Sequence, residues 1–173
     1  VAAQWATGEK QLQEIARFKS MAESVGLVNG DELVFSSDWN DGKYKIGLPR
    51  KMLRELMMLS NLFIFPTREE SFGLVLPEVA LSSGALCVLN RSLTMQLEIS
   101  DFNALYFEFG SYYTPAPERN DGFYSDLAIV ITGRMKQSES LMTKTYMRQH
   151  YNWDYLYARH YAPILGESLL ETE

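Results

Sequence analysis

Two short, continuously apolar runs constrain the fold of this chain more than any other feature. Asn61–Phe65 ends at Pro66, and Ala85–Leu89 follows Gly84. Strands that are apolar at successive positions are buried on both faces, which is typical of parallel sheets. Apolar residues recur at helical spacing before, between and after these runs, so strand and helix alternate along the chain. The pattern predicts an α/β fold in which a parallel sheet carries helices on both faces.

The same patterns give the positions of the remaining elements. We expect further strands at Val1–Gln4, Glu32–Phe35 and Ala104–Phe107, and helices at Gly8–Val25, Leu48–Leu59, Gly73–Ser83, Ser92–Ile99, Phe123–Gly133, Ser138–His150 and Trp153–Leu165. Gly26 follows the first helix as a C-cap. No repeat or linker divides the chain, so we expect one domain over 1–166, followed by an acidic tail over 167–173.

Composition excludes several classes of function. The chain has 173 residues and a net charge of −6, which gives no electrostatic footprint for nucleic acid or anionic lipid. One cysteine and two histidines form neither an internal disulfide nor a zinc site. The most apolar segment, Leu56–Phe65, is shorter than the ~20 residues of a spanning helix. We therefore expect a cytoplasmic protein with no metal, no cofactor and no nucleic-acid partner.

The segment Pro66–Glu78 runs from a strand end into a helix start, which is where ligands bind in open α/β sheets. Backbone amides at a helix start lack helical partners and form an anion cradle, here over Ser71–Val75. Gly73 has no Cβ and admits a ligand close to the backbone. Glu70 and Glu78 flank this cradle, and ionised carboxylates accept hydrogen bonds from sugar hydroxyls.

Glu70 and Glu78, with seven residues between them, resemble the E-x7-E motif of retaining glycosyltransferases of the GT-B fold. Their larger signature reads Pro-Ser-x-x-Glu-x-Phe-Gly-Leu-x-x-x-Glu-Ala, then a small residue and Gly. This chain has Pro66-Thr67, Glu70, Phe72-Gly73-Leu74, Glu78-Val79-Ala80 and Ser83-Gly84. Tyr151-Asn152-Trp153-Asp154 resembles the aromatic-x-Trp step that opens the last helix of that fold. The resemblance covers residues 1 to 165.

The resemblance implies a Rossmann-like domain, the nucleotide-sugar-binding C-terminal half of a GT-B enzyme. Such an enzyme transfers a hexose from a UDP-, GDP- or ADP-sugar to a glycan or lipid-linked acceptor. Glu70 would lie near the anomeric centre as the catalytic residue, and Glu78 would bind the ribose hydroxyls. Amides of the intervening segment would bind the sugar and the diphosphate, and the loop after Phe35 would seat the base. The implied donor-binding residues are Ser71, Phe72, Gly73, Leu74, Val75, Glu78, Ser36 and Ser37.

One feature of the family is missing. Its members carry an Arg and a Lys after the first strand of this half, and the present chain starts at what we interpret as the second strand, Val1–Gln4. Lys10 could replace one cation or simply open the first helix. We expect the chain to lack the first strand and helix and the N-terminal domain through which the acceptor binds. The full enzyme could associate peripherally with a membrane, and this chain alone would be an incomplete enzyme.

Other interpretations of the same residues stay open. Glu69 and Glu70 could form a solvated turn, with Glu78 favoured only by the helix dipole. Arg68 and Arg91 could contact phosphate or only solvent. His150 and His160 fit helix-face positions, and Cys87 fits a buried apolar site. Six aromatic residues would pack the C-terminal helices, with some rings exposed where the other half of the fold is absent: Tyr146, Tyr151, Trp153, Tyr155, Tyr157 and Tyr161.

Three alternative functions use the same fold. The chain could be an inactive half-domain that acts as an interaction module. It could instead belong to a sugar phosphorylase, although a pyridoxal-phosphate lysine environment is not evident. A nucleotide-sugar epimerase would need further acid and base residues, and the two histidines are badly placed for that role.

Overall fold

The central element is a three-stranded parallel sheet. A computed structural model describes residues 9–38, 43–44, 47–101, 103–115, 120–136 and 140–165. Its strands are β1 (Leu62–Phe65), β2 (Leu86–Asn90) and β3 (Leu105–Phe107), in the order β1-β2-β3. Leu62 pairs with Leu86, and Val88 pairs with Leu105. Every residue of β2 is buried, as expected for a continuously apolar strand of a parallel sheet. The predicted α/β fold with a parallel sheet is confirmed at this level, and it is compatible with a Rossmann-like fold.

Helices occupy the predicted stretches with ends shifted by a few residues. They are α1 (Glu9–Ser24), α2 (Arg50–Leu59), α3 (Val75–Ser82), α4 (Thr94–Ser100), α5 (Asp121–Met135), α6 (Ser140–His150), α7 (Trp153–Leu156) and α8 (Ala162–Leu165), with one π-helical turn, Tyr157–Tyr161, between the last two. Gly26 ends α1 as expected: its φ is +86°, and its amide donates to the Glu23 carbonyl at 3.0 Å. Among the described helices, none is long and apolar enough to cross a membrane.

Helices cover both faces of the sheet. Leu86 and Val88 lie on one face. They form a buried cluster with Ile131 of α5 and with Phe109, which follows β3. Cys87 and Leu89 alternate with them, so their side chains point to the opposite face, where they are also buried. Tyr106 pairs with Leu89 and therefore points to the same face, where its hydroxyl is hydrogen-bonded to that of Ser100 in α4. Helix α6 contacts β2, α3 and α4, and its Met147 is fully buried.

The chain divides into two compact units, Val1–Glu55 and Leu56–Glu173, with the boundary inside α2. The sheet and helices α3 to α8 belong to the second unit. The first unit contains α1 and a three-residue 3-10 helix, Ser36–Asp38. The single domain over 1–166 stays a prediction, and both the expected strand Val1–Gln4 and the acidic tail 167–173 lie outside the described residues.

The expected strand Glu32–Phe35 is wrong. Its backbone bonds locally instead: the amides of Glu32 and Leu33 donate to the Val28 carbonyl at 2.9 and 3.2 Å, and the Gly30 amide donates to the Leu33 carbonyl at 2.8 Å. The Glu32 carboxylate accepts from the Val28 amide at 2.8 Å. A single bridge, Asn29 to Leu33, is the only strand-like pairing described there. The hydrogen-bonding groups of this segment are therefore used in a turn rather than in the sheet.

Candidate functional site

The three strands end at one edge of the sheet because they are parallel. Residues 66–74, 91–93 and 108–115 leave the strands at this edge, which we call the carboxyl edge. Hydrogen bonds join these segments: Arg68 Nη2 donates to the Ser111 carbonyl at 3.0 Å, and the Ser92 hydroxyl donates to Glu108 at 3.0 Å. The Arg91 amide also donates to the Phe107 carbonyl at the end of β3, at 2.9 Å. The carboxyl edge is thus a connected surface rather than three independent loops.

The start of α3 lies at the carboxyl edge. Gly73 has φ +73°, Leu74 precedes the helix, and the first helical bonds are those of Leu76 to the Gly73 carbonyl (2.9 Å) and of Glu78 to the Leu74 carbonyl (3.1 Å). Within the described part of the chain, the amides of Phe72, Gly73, Leu74 and Val75 donate to no protein acceptor. Four backbone donors therefore have no acceptor among the described residues, as is usual at a helix start, where anions can bind.

Glu70 folds back toward these amides. One of its carboxylate oxygens, Oε1, accepts a 3.2 Å hydrogen bond from the Ser71 amide. Its Cγ lies 3.2 Å from the position that a Cβ on Gly73 would take. The Glu70 side chain is exposed and points at the same turn from which α3 starts. Glu70 and the free amides accordingly belong to one local structure.

Met95 of α4 also lies on the Cβ side of Gly73. Its Cε and Sδ lie 3.5 and 3.6 Å from the position of a Gly73 Cβ. Gly73 is consequently buried, and the space on its Cβ side is occupied by Glu70 and Met95. A ligand reaching this turn from that side meets a carboxylate and a flexible thioether, and not a bare glycine.

Glu78 lies in the first turn of α3 with an exposed side chain. Residues Glu70 through Glu78 thus form one continuous loop-to-helix segment in the second unit. Ser36 belongs to the first unit, where it is 3% exposed at the start of the 3-10 helix. The side chain of Ser37 and that of Lys10 lie outside the described residues. Residues 70–78 of the predicted donor site therefore lie in the second unit and Ser36 in the first, and their union in one site stays a prediction.

The carboxyl edge carries charges of both signs. Its acidic residues are Glu69, Glu70 and Glu108, and its basic ones are Arg68 and Arg91; Glu78 follows in the first turn of α3. In the described ranges neither arginine pairs with a carboxylate: the two ion pairs found there join Arg17 to Glu14 and Lys19 to Asp38. Glu108 accepts from the Ser92 hydroxyl at 3.0 Å. Both guanidinium groups therefore retain donors that could interact with a phosphate.

Sequence reasoning missed Asn90, the last residue of β2. It is fully buried, and its carboxamide bonds to all three segments of the carboxyl edge. The signal that could have found it is a polar residue at the end of an otherwise apolar strand, because a buried amide must find partners.

Other candidate residues have structural roles. Burial raises the pKa of the Cys87 thiol to about 12, so it is protonated and unreactive near neutral pH. His150 ends α6, stacks on Tyr146 at 4.3 Å between ring centroids, and its Nδ1 lies 3.0 Å from the Tyr146 carbonyl. Trp153, Tyr157 and Tyr161 are 77%, 41% and 51% exposed. Exposed rings were expected among these aromatic residues.

In the part of the chain that the structure describes, no group of three or more His, Cys, Asp or Glu side chains could hold a metal ion. Comparison with protein-family models, with curated proteins and with solved structures gives no match to this chain.

Proposed function

We propose that this chain binds a nucleotide-activated sugar and is the donor-binding half of a retaining hexosyltransferase of the GT-B type. The observation that carries the proposal is the segment Glu70–Glu78, in which two carboxylates accompany four free backbone amides at the carboxyl edge. Amides at a helix start bind the diphosphate, and carboxylates accept hydrogen bonds from sugar hydroxyls.

Each part of the segment has one task in this proposal. Amides of Phe72 to Val75 bind the diphosphate oxygens, assisted by the dipole of α3. Glu78 accepts from the ribose hydroxyls, and Glu70 accepts from the sugar and stabilises positive charge at the anomeric carbon. Arg68 and Arg91 supply positive charge at the same edge. The nucleotide is a uridine, guanosine or adenosine diphosphate.

The transfer itself requires an acceptor hydroxyl, which a separate N-terminal domain would present. That oxygen forms a bond to the anomeric carbon on the face from which the nucleotide diphosphate leaves. The bond between the anomeric carbon and the diphosphate oxygen breaks, and the acceptor proton passes to the departing diphosphate. The chain contributes orientation and charge stabilisation, so Glu70 need not act as a nucleophile.

Calorimetric titration with UDP, GDP and ADP tests the binding step. We expect saturable binding of at least one nucleotide, with a Kd in about the micromolar-to-millimolar range. Glu78→Gln should weaken it about tenfold or more, since the amide keeps the size of the side chain but loses one charged acceptor. Glu69→Gln is the matched control, because Glu69 is an exposed neighbour outside the motif. Absence of binding to all three nucleotides would overturn the proposal, as would equal affinities for the two variants.

A second candidate is an interaction module without catalysis. Exposed apolar side chains along the C-terminal helices favour it, namely Trp153, Tyr157, Tyr161, Ile164 and Leu165. Apolar surface of this kind is typical of protein interfaces. The titration separates the two candidates, since a module of this sort needs no nucleotide.

A further inference from the structure

Asn90 occupies the point where the three segments of the carboxyl edge meet. Its Nδ2 donates to the Thr67 carbonyl after β1 at 2.8 Å and to the Gly110 carbonyl after β3 at 2.6 Å. Its Oδ1 accepts from the Ser92 amide and from the Phe109 amide, each at 3.0 Å. One carboxamide therefore bridges the exits of all three strands.

The hydrogen-bonding capacity of this side chain is fully used. A carboxamide has two donor hydrogens and two acceptor lone pairs, and Asn90 engages all four with backbone groups. The backbone amide of Asn90 is held as well, since it donates to Gln96 Oε1 at 2.7 Å. Because Asn90 is 0% exposed, water does not compete for these bonds. Four hydrogen bonds thus fix the orientation of the side chain, and a fifth holds its backbone.

The bond to Thr67 links Asn90 to the candidate site. Thr67 lies three residues before Glu70, and its hydroxyl donates to the Glu69 carbonyl at 2.8 Å. A short chain of hydrogen bonds therefore runs from the end of β2 into the turn where Glu70 meets Gly73. If the Thr67 carbonyl lost its partner, this segment would lose its bond to Asn90 and keep the bond from Arg68 to the Ser111 carbonyl.

We infer that Asn90 is a positioning residue that holds the Thr67–Gly73 segment in the geometry that the proposed nucleotide-sugar site requires. The inference rests on the proposed function for its ligand, but the attachment of the segment can be measured without any ligand. Asn90 itself contacts backbone groups and not the donor, so it acts through Glu70 and the free amides.

Asn90→Asp removes the two donors while keeping the shape and one acceptor oxygen. The carboxylate then faces the Thr67 and Gly110 carbonyls, and this contact is repulsive in a site without water. Asn152→Asp is the matched control: Asn152 Nδ2 also donates to two carbonyls, those of Arg148 and Gln149, and its Oδ1 accepts from the Tyr155 amide. Asn152 lies between α6 and α7, outside the carboxyl edge.

Hydrogen exchange of the full chain without nucleotide is the first measurement. In the wild type, the Ser92 and Phe109 amides should exchange slowly, because Asn90 Oδ1 accepts both. In Asn90→Asp, a peptide covering Thr67–Gly73 should exchange faster, whereas the same peptide in Asn152→Asp should match the wild type. If the Ser92 and Phe109 amides exchange rapidly in the wild type, the inference is overturned. This wild-type measurement can be made whether or not the variant folds.

Nucleotide affinity is the second measurement, made well below the unfolding temperature of each variant. For whichever nucleotide the wild type binds, Asn90→Asp should raise the Kd by about tenfold or more. Asn152→Asp should leave the Kd within about twofold of the wild-type value. Unchanged exchange and affinity in a folded Asn90→Asp protein would overturn the inference. The two conclusions can also separate. If the wild type binds no nucleotide but residues 67–73 exchange faster in Asn90→Asp, the proposed function is contradicted and the attachment by Asn90 is supported.

A pH series distinguishes positioning from general damage. The introduced Asp is buried and should take up a proton as the pH falls from about 8 to about 5.5, after which it can donate to one carbonyl. As the pH is lowered through this interval, the ratio of the Asn90→Asp Kd to the wild-type Kd should therefore fall. The corresponding ratio for Asn152→Asp should stay constant. The charged groups on the segments bonded to Asn90 are Arg68, Glu69, Glu70, Arg91 and Glu108, and they are common to both proteins. A constant ratio would count against the inference.

Discussion

Gly73 shows how one residue couples backbone conformation to the candidate site. Its φ of +73° lies in the left-handed region, which residues with a Cβ rarely adopt. A Cβ there would also lie 3.2 Å from Glu70 Cγ, so that the Glu70 side chain would have to shift by a few tenths of an ångström. Glycine therefore serves the turn and the position of Glu70 together.

Gly73→Ala should lower the free energy of unfolding by about 1–2 kcal/mol and weaken nucleotide binding, through strain and displacement of Glu70. The control is Gly133→Ala in α5, where an added Cβ meets nothing within 4 Å. That change should be neutral or stabilise the protein by up to about 1 kcal/mol, since alanine favours helix. Urea unfolding measures both, and equal effects would contradict the role assigned to Gly73.

At the scale of elements, the sheet is stable because helices cover β2 on both sides. Helix α5 contributes Phe123, Leu127 and Ile131 to the cluster around Leu86 and Val88. The apolar run Leu86–Leu89 predicted this burial, because a strand without polar alternation must be covered on both faces. At Glu32–Phe35, by contrast, the Glu32 and Leu33 amides donate to the Val28 carbonyl within a turn.

Ile131→Ala should lower the free energy of unfolding by about 2–5 kcal/mol, because Ile131 is 6% exposed and its removal leaves a cavity against the sheet. Ile129→Ala on the same helix is the control. Ile129 is 69% exposed, so its truncation should change stability by less than about 0.5 kcal/mol. Urea denaturation followed by circular dichroism measures the difference, and similar losses for the two variants would argue against this packing of α5.

At the scale of the whole molecule, a net charge of −6 repels anions, so a nucleotide diphosphate must be attracted locally by amides and arginines. The pH dependence of folding is also a property of the whole molecule. Burial raises the pKa of Cys87 from 9.0 to about 12, and burial also raises the pKa of the Tyr106 hydroxyl. Both groups therefore keep their protons to a higher pH in the folded state than in the unfolded state.

Stability should consequently decrease at alkaline pH. Below pH 9 both states hold the Cys87 proton; between about pH 9 and 12 only the folded state holds it, so the free energy of unfolding falls by up to ~1.4 kcal/mol per pH unit. Cys87→Ala should remove this part of the slope, whatever its effect at pH 8. Urea unfolding between pH 8 and about 10.5 measures both slopes, and parallel lines would disprove the contribution of the thiol.

Local sequence patterns determined the strands of the sheet, most of the helices and the order in which they alternate. Apolar periodicity and turn residues are properties of neighbouring residues, so they can be read from the chain. The segment Glu70–Glu78 was likewise visible as a motif. Only the tertiary structure decided that the side chains of Glu70 and Met95 both lie beside Gly73, and that Asn90 joins three strand ends. The bonds from Asn90 to Thr67, Gly110 and Phe109 link residues about twenty positions apart. Their partners are backbone groups, which carry no sequence signal of their own.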